Sequence, residues 1–232
     1  FVYLYFALQK LGCIPIMALP THRYREMSQF AELSGAVACV TPDRSKDFDY
    51  SEMVGRIRAA NKRVRFGIIF GDAQGDFLSL GELIEWPCVR SKTDIEQIKI
   101  EPEDPAVFQL SGGTTGIPKL IPRTHNDYIY NSRLASAVTR VGPEEVFLDL
   151  LPLAHNLPLA CPGLQGYLLH GGKFVVSNST RSEDIFALIE RHRVTHIAVV
   201  PALLIRLIHD PSIAKFDLSS LPVIQSGGQP LQ

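Results

Sequence analysis

The chain of 232 residues has no clustered cysteines, no excess of either charge and no apolar run long enough to cross a bilayer. Its four cysteines, Cys13, Cys39, Cys88 and Cys161, stand far apart, with neither a CxxC spacing nor a paired histidine. That argues against a zinc ligand set or a disulfide framework and fits a reducing cytosol. The 23 Lys and Arg against 24 Asp and Glu leave a net charge of −1. A protein gripping nucleic acid electrostatically carries a basic excess or stripe, so nucleic acid is not an expected partner. The richest apolar stretch, Val194 to Ile208, is broken by His196, Pro201 and Arg206 and falls short of the ~20 residues a membrane span needs. No repeat or low-complexity segment is present.

What is there is an ordinary globular composition, 46% hydrophobic and 20% charged, with too much core-forming material for disorder. The chain opens on FVYLYFALQKLG, which reads as the middle of an amphipathic helix, and closes on QSGGQPLQ just after a strand-like run. Both ends are expected to be cuts within a longer protein, and no signal peptide is expected.

The apolar period alternates between strand and helix. Helices are expected at Phe1 to Leu11, Arg23 to Leu33 and Tyr50 to Asn61, with strands at Ala36 to Thr41 and Val64 to Phe70 and a short apolar run at Ile14 to Leu19. Residues 72–104, broken by Pro87 and Pro102, form a connection with one short helix near Leu80 to Glu85. The rhythm then resumes with strands at Ala106 to Leu110, Val146 to Leu151, Phe174 to Ser177, His196 to Val200 and Val223 to Gln225, and an extended run at Leu120 to Arg123. Helices are expected at His125 to Arg140, Leu159 to His170, Glu183 to Arg193 (capped by Ser182) and Ala202 to His209. The expectation is an α/β protein of two βα-rich subdomains, 1–104 and 105–232, with largely parallel sheets.

The segment most suited to chemistry is Leu110-Ser111-Gly112-Gly113-Thr114-Thr115-Gly116-Ile117-Pro118-Lys119. Its glycines let backbone N–H groups approach a ligand, its hydroxyls donate, and Lys119 adds a mobile cation; together these suit a polyphosphate. It is not the loop of nucleoside triphosphatases, because Ile117-Pro118 separates Gly116 from Lys119 and Leu120 replaces the magnesium-binding Ser/Thr. Nor do Gly112, Gly113 and Gly116 have the register of the dinucleotide fingerprint. A plain Gly/Thr turn between strands is the bland alternative.

The run resembles the phosphate-binding loop of the adenylate-forming superfamily, which reads roughly Ser-Gly-Thr-Thr-Gly-x-Pro-Lys. Three further segments match that family in order: Pro152-Leu153-Ala154-His155, Val199-Val200-Pro201 and Ser226-Gly227-Gly228. Lys119-Leu120-Ile121-Pro122-Arg123-Thr124-His125-Asn126-Asp127-Tyr128, with His155-Asn156-x-Pro158-Leu159, is similar to the stand-alone aryl-acid adenylating enzymes of siderophore biosynthesis. The resemblance covers the whole chain but only the middle of a family member.

The resemblance implies ATP-dependent activation of salicylate or 2,3-dihydroxybenzoate to an aryl-AMP. Transfer to the thiol of a phosphopantetheinylated aryl carrier protein would follow, in the cytoplasm. It implies that Ser111, Gly112, Gly113, Thr114, Thr115, Gly116 and Lys119 hold the β- and γ-phosphates, with Lys119 catalytic, and that Gly227 and Gly228 border adenine. His155 would lie beside the aryl carboxylate and take part in catalysis. Asn156 would read the ortho-hydroxyl, for which an amide has both donor and acceptor. Cys161 stands where dihydroxybenzoate-activating relatives carry Ser and salicylate-activating ones tend to carry Cys. A thiol is a weak donor, and an unpaired buried hydroxyl costs roughly 1–3 kcal/mol, or about 5- to 150-fold. Salicylate is therefore favoured.

Gln229 departs from the Ala common in relatives, and Arg123 suits either a phosphate contact or a structural pair. The Mg²⁺ ligands and a catalytic lysine domain are expected downstream of Gln232, so this polypeptide alone should lack ATP–pyrophosphate exchange. His125, His170, His192, His196 and His209 are expected at the surface or at helix ends. The alternatives are an acyl- or aryl-CoA ligase, a non-catalytic nucleotide-binding module and, least favoured, a P-loop kinase.

Overall fold

In a computed structural model, residues 1–45, 47–87, 90–111 and 118–228 are described. The chain packs as two compact units. One holds Val2–Ile100 with the described part of 107–122; the other holds Phe1, Glu101–Ala106 and the described residues from Arg123 onward.

In the first unit, α1 (Val2–Lys10) and α2 (Tyr24–Ser34) precede β1 (Ala38–Pro42), β2 (Arg44–Ser45), β3 (Phe48–Asp49), α3 (Tyr50–Ala60) and β4 (Phe66–Phe70). β5 (Leu78–Ser79), α4 (Leu80–Glu85) and α5 (Lys92–Glu96) follow; β5 and α5 lie in the stretch expected to be irregular. β1, β4 and β5 form one parallel sheet, with Cys39 opposite Gly67 in its register. Tyr50, Met53, Val54 and Ile57 recur at the spacing of one helix face, so α3 buries them beside Cys39 and Val64. Asp49 caps that helix by accepting from the Glu52 amide at 2.8 Å.

The strand pair β6 (Pro105–Leu110) and β7 (Leu120–Thr124) flanks the glycine–threonine loop. Residues on the loop side of this pair cluster with the first unit, unlike a single cut at 104/105, because backbone bonds tie Phe108 to Pro15 and Met17. The run at Ile14 to Leu19 is accordingly no full strand; only Ile16 bridges, to Phe108.

The second unit continues with α6 (His125–Thr139), β8 (Val146–Asp149), α7 (Asn156–Ala160), α8 (Gly163–Leu169) and β9 (Lys173–Val176). Then come α9 (Ser182–His192), β10 (His196–Val199), α10 (Pro201–His209), a 3₁₀ turn at Pro211–Lys215 and β11 (Val223–Ser226). The four-stranded sheet is parallel throughout, in the order β11-β10-β8-β9. Both faces of β8 and β10 are buried, which is why these strands read as continuous apolar runs. The pleat sends Val146, Leu148, Ile197 and Val199 to the face covered by α9 and Leu207, and Phe147 and Ala198 to the face carrying Tyr167.

Two of the helix expectations need correction. The helix expected at Leu159 to His170 is two helices, α7 and α8, broken at Cys161-Pro162; the apolar period runs through a proline that cannot continue a helix. Ser182 is the first helical residue of α9, not its cap; Arg181 holds the cap position without a side-chain bond.

Candidate active site

The chain runs from β8 to β9 on one side and returns past β8 to β10 on the other. The two crossovers therefore run in opposite directions, and their helices cover opposite faces. A reversal of this kind, between the C-terminal ends of β8 and β10, is where an open parallel sheet customarily forms its ligand crevice. The segment leaving β8 carries His155 and Asn156, the one leaving β10 carries Val200 and Pro201, and the one leaving β11 carries Gly227 and Gly228. A methyl group placed on Gly227 would touch Leu157 Cδ2 at 3.9 Å, so the β11 turn and α7 border each other.

α7 is set into this crevice from two directions. The His155 amide donates to Pro152 O at 2.9 Å, closing the turn after β8, and the Leu159 amide donates to His155 O at 3.2 Å. Beneath it, Asn131 Nδ2 and Ser132 Oγ on α6 both donate to Ala160 O, at 2.7 and 3.1 Å. Gly163 then lets the chain turn: its φ is +48°, and a Cβ there would stand 2.1 Å from Pro158 O.

Asn156, half-buried at the start of α7, accepts a hydrogen bond on Oδ1 from the Tyr128 hydroxyl at 3.0 Å. Tyr128 is 1% exposed. Its ring lies under the Arg123 guanidinium, 5.0 Å from ring centroid to Cζ. Arg123 in turn forms a two-point ion pair with Asp127, from Nε to Oδ2 and from Nη2 to Oδ1. Hydrogen bonding to Arg123 holds the Asp127 carboxyl below its usual range. Arg123 is thus committed to a structural pair.

Cys161 is a free thiol, half-buried, whose pKa is raised by burial against the opposing charge of Arg123. His155 is exposed at the crevice, yet desolvation by the surrounding protein lowers its pKa, favouring neutral imidazole. Asp149, the last residue of β8, is 1% exposed and accepts from the Leu151 amide at 3.1 Å. Burial pushes its pKa up to about 7.

In the other unit, the neck of the loop is closed by Ser111 and Lys119. The Ser111 amide donates to Lys119 O at 3.1 Å, and the Lys119 amide donates to Ser111 Oγ at 2.9 Å. The Lys119 side chain is exposed. Gly112, Gly113, Thr114, Thr115 and Gly116, like Cys88 and Gln229, lie outside the described residues. Among the described residues no group of three or more His, Cys, Asp or Glu could hold a metal ion. No helix of the described residues is long and apolar enough to cross a membrane.

The structure therefore brings His155, Asn156, Cys161, Gly227 and Gly228 onto the segments around one sheet end, and sets Ser111 and Lys119 at the neck of the loop in the other unit. Among the histidines, His196 is not at the surface: it is 3% exposed, contacts Thr195 Oγ1 through Nδ1 and Thr139 O through Nε2, and packs edge-on against Tyr167. As the first residue of a central strand it has no route outward. Tyr128 and Asp149 were not among the expected site residues. Tyr128 has no local signal, since its partner lies 28 residues away; Asp149 has one, as the lone charge in the apolar run at Val146 to Leu151.

The family model described as "AMP-binding enzyme" matches residues 1–232. The chain belongs to the AMP-binding enzyme family. Curated relatives in the family include "Triostin synthetase I" of Streptomyces triostinicus, 44% identical over 231 residues, covering 100% of this chain and 41% of the relative. "2,3-Dihydroxybenzoate-AMP ligase" of Bacillus subtilis is 40% identical over 96% of this chain and 40% of its own length. "Salicyl-AMP ligase / salicyl-S-ArCP synthetase" of Mycobacterium tuberculosis is 40% identical over 98% of this chain and 39% of its own length. The apo structure of Mycobacterium smegmatis MbtA superposes with a TM-score of 0.86 at 38% identity, covering 98% of this chain and 40% of that one. The chain thus spans about two-fifths of the length of the curated relatives it matches.

Proposed function

We propose that the protein carrying this chain activates a 2-hydroxyaryl carboxylic acid, salicylate in preference to 2,3-dihydroxybenzoate, in cytosolic siderophore biosynthesis. An oxygen of the aryl carboxylate attacks the α-phosphorus of ATP and the α–β phosphoanhydride bond breaks. Aryl-AMP forms and pyrophosphate leaves. The phosphopantetheine thiol of an aryl carrier protein then forms a thioester as AMP departs. Mg²⁺, where bound, supplies charge neutralisation on the phosphates.

The chain's own contribution is position and charge rather than a covalent intermediate. Ser111, Thr114, Thr115, Lys119 and the backbone of Gly112, Gly113 and Gly116 hold the β- and γ-phosphates, with Lys119 meeting charge that develops on the leaving pyrophosphate. Gly227 and Gly228 border the adenine. His155 lies beside the carboxylate, where its lowered pKa keeps the imidazole neutral. Asn156 reads the ortho-hydroxyl, and Cys161 lies against the ring position that bears hydrogen in salicylate.

The observation that carries this reading is the Asn156 amide held by Tyr128 at the C-terminal end of a parallel strand, on a helix bordered by the glycine turn after β11. The relatives whose names mention salicyl-AMP and dihydroxybenzoate-AMP ligation support the substrate class. Cys161 supports the preference within it. The test is ATP–pyrophosphate exchange by the full-length protein with salicylate, 2,3-dihydroxybenzoate and benzoate, followed by loading of a carrier protein or of free coenzyme A. Exchange driven by salicylate, with acyl transfer to the carrier, is expected. Exchange indifferent to the ortho-hydroxyl would overturn the substrate reading, and transfer to coenzyme A alone would make the protein a CoA ligase.

A further inference from the structure

Resting on that reading, we infer that Tyr128 is a specificity-determining positioning residue: it locks the Asn156 amide so that only its NH₂ end is offered to the substrate, making the pocket select an ortho acceptor over an ortho donor. The side-chain amide is chemically two-ended, with a carbonyl oxygen that accepts and an NH₂ that donates. Turned by 180° about its last torsion, it has nearly the same shape and the opposite polarity. An unrestrained Asn could therefore read a hydroxyl oxygen in one orientation and an amine N–H in the other.

Here that freedom is removed. The Tyr128 hydroxyl donates to Oδ1 at 3.0 Å. A phenol is a better donor than acceptor, because the ring draws on the oxygen lone pair. The phenol itself cannot swing away. It is 1% exposed, its ring sits under Arg123, and Arg123 is pinned by Asp127. All three belong to one β7–α6 junction, where Thr124 caps the helix by accepting from the Asp127 amide at 3.1 Å. Among the described residues no acceptor is bonded to Asn156 Nδ2.

The consequence is a choice between two aromatic acids of nearly equal size. In a 2-hydroxybenzoate the phenolic hydrogen turns inward to the carboxylate, leaving an oxygen lone pair for Nδ2–H. In a 2-aminobenzoate the nitrogen lone pair is spread into the ring, and the N–H outside the internal bond points at another N–H. That clash leaves donors unpaired in a half-dry site, the situation in which polar recognition discriminates most strongly.

The experiment compares kcat/KM for salicylate and 2-aminobenzoate in ATP–pyrophosphate exchange by the full-length protein, wild type and Tyr128→Phe. The wild type is expected to favour salicylate by at least about 100-fold. In Tyr128→Phe the ratio should fall about tenfold, chiefly through better use of 2-aminobenzoate, because the amide can then turn. A Tyr128→Phe protein that loses both activities in equal proportion, with the ratio unchanged, would overturn the proposal and leave Tyr128 a packing residue.

Should Tyr128→Phe fail to fold, Asn156→Asp asks the same question. One carboxylate oxygen still takes the Tyr128 bond and the other faces the ligand as an acceptor. Its ratio should fall below the wild-type value, and an unchanged ratio again overturns the proposal. If no aryl acid supports exchange in the wild type, it is the functional reading that fails; if salicylate works and the Tyr128→Phe ratio does not move, Tyr128 alone is wrongly assigned, and an unmoved Asn156→Asp ratio removes the Asn156 assignment as well.

Discussion

Two aspartates sit at the C-terminal ends of parallel strands, one in each unit, and both hold the backbone of the loop that follows. Asp43, just after β1, accepts from the Arg44 and Asp72 amides at 2.6 and 3.0 Å. Asp149, the last residue of β8, accepts from the Leu151 amide at 3.1 Å, and β9 and β10 flank it in the sheet. The backbone bond from Asp72 leads the causes that hold Asp43 below the usual carboxylate pKa, whereas desolvation carries Asp149 up to about 7. Water access and the number of donors decide the sign, not the position in the fold. Asp43 thus spends its carboxylate on finishing the backbone of its own unit. In the second unit the buried Tyr128 hydroxyl is instead tied to another side chain, Asn156.

The glycines near these strand ends sharpen the contrast most. A Cβ on Gly163 would meet the Pro158 carbonyl oxygen at 2.1 Å, and that backbone cannot yield without moving α7. Gly163→Ala should cost roughly 3–5 kcal/mol in denaturant unfolding. In the first unit, the nearest atoms a Cβ on Gly71 would meet are those of the Asp43 carboxylate, at 2.5 Å, a side chain that can move at the expense of its bonds to the Arg44 and Asp72 amides. With that displacement and the positive φ of 120°, Gly71→Ala should cost roughly 1–3 kcal/mol, less than the change at Gly163. Equal losses at the two positions would mean that the α7–α8 junction is softer than its contacts suggest.

Protonation is the next lever, and the two aspartates pull in opposite directions. Asp149 has a folded pKa of about 7 against about 3.9 unfolded. Between those values the native state binds the extra proton. Its favourable contribution is complete below about pH 4 and is lost as pH rises through 7, a span of roughly 2–4 kcal/mol. For Asp43, whose folded pKa is depressed, the contribution is present above the unfolded pKa and is lost as pH falls through the folded one. Asp149→Asn should therefore gain stability relative to wild type between pH 5 and pH 8, while Asp43→Asn should lose less at acid pH than at neutral pH. Urea midpoints at pH 5 and pH 8 check Asp149→Asn, and midpoints below pH 4 against pH 7 check Asp43→Asn; a flat difference for Asp149→Asn would remove the buried-charge reading.

Function should separate the units as well. Asn156→Ala is expected to lower salicylate-dependent exchange by the full-length protein about 30-fold, near 2 kcal/mol. Asp43→Ala should leave exchange within about twofold. A loss at Asp43 equal to that at Asn156 would indicate that the first unit's loops take part in the chemistry.

How much of this was legible beforehand follows from the range of each interaction. β8 and β10 announce themselves because burial on both faces writes an unbroken apolar run, and α3 because its buried face recurs at helical spacing. His155, Asn156 and the turn at Gly227-Gly228 can be proposed from sequence because their motifs are local in the chain. Tyr128 cannot, since nothing near it signals a partner on another helix. The same limit hid the break between α7 and α8: Cys161-Pro162 sits inside an apolar period that continues on both sides. His196 looked like a surface residue because a polar side chain inside a strand reveals neither which face it takes nor that Thr139 O is waiting there.

Among the described residues, two partly or fully buried thiols give the finest version of the comparison. Cys39 in β1 is 6% exposed, and burial raises its pKa to about 11; it packs beside Met53 and Ile57 and faces no site. Cys161 is less buried, with Arg123 acting against the desolvation. A serine at either position adds a stronger donor that wants a partner. At Cys39 the new hydroxyl is buried in an apolar cluster on which only the Arg58 charge acts, so Cys39→Ser should cost roughly 1–3 kcal/mol of stability and leave substrate preference untouched. At Cys161 the hydroxyl can be satisfied by a ligand that bears its own. Cys161→Ser should therefore lower the ratio of salicylate to 2,3-dihydroxybenzoate kcat/KM about fivefold, near 1 kcal/mol, through a gain on the dihydroxy acid rather than a loss on salicylate. A stability loss with no change in ratio would put Cys161 in the same class as Cys39, a packing residue that the substrate never meets.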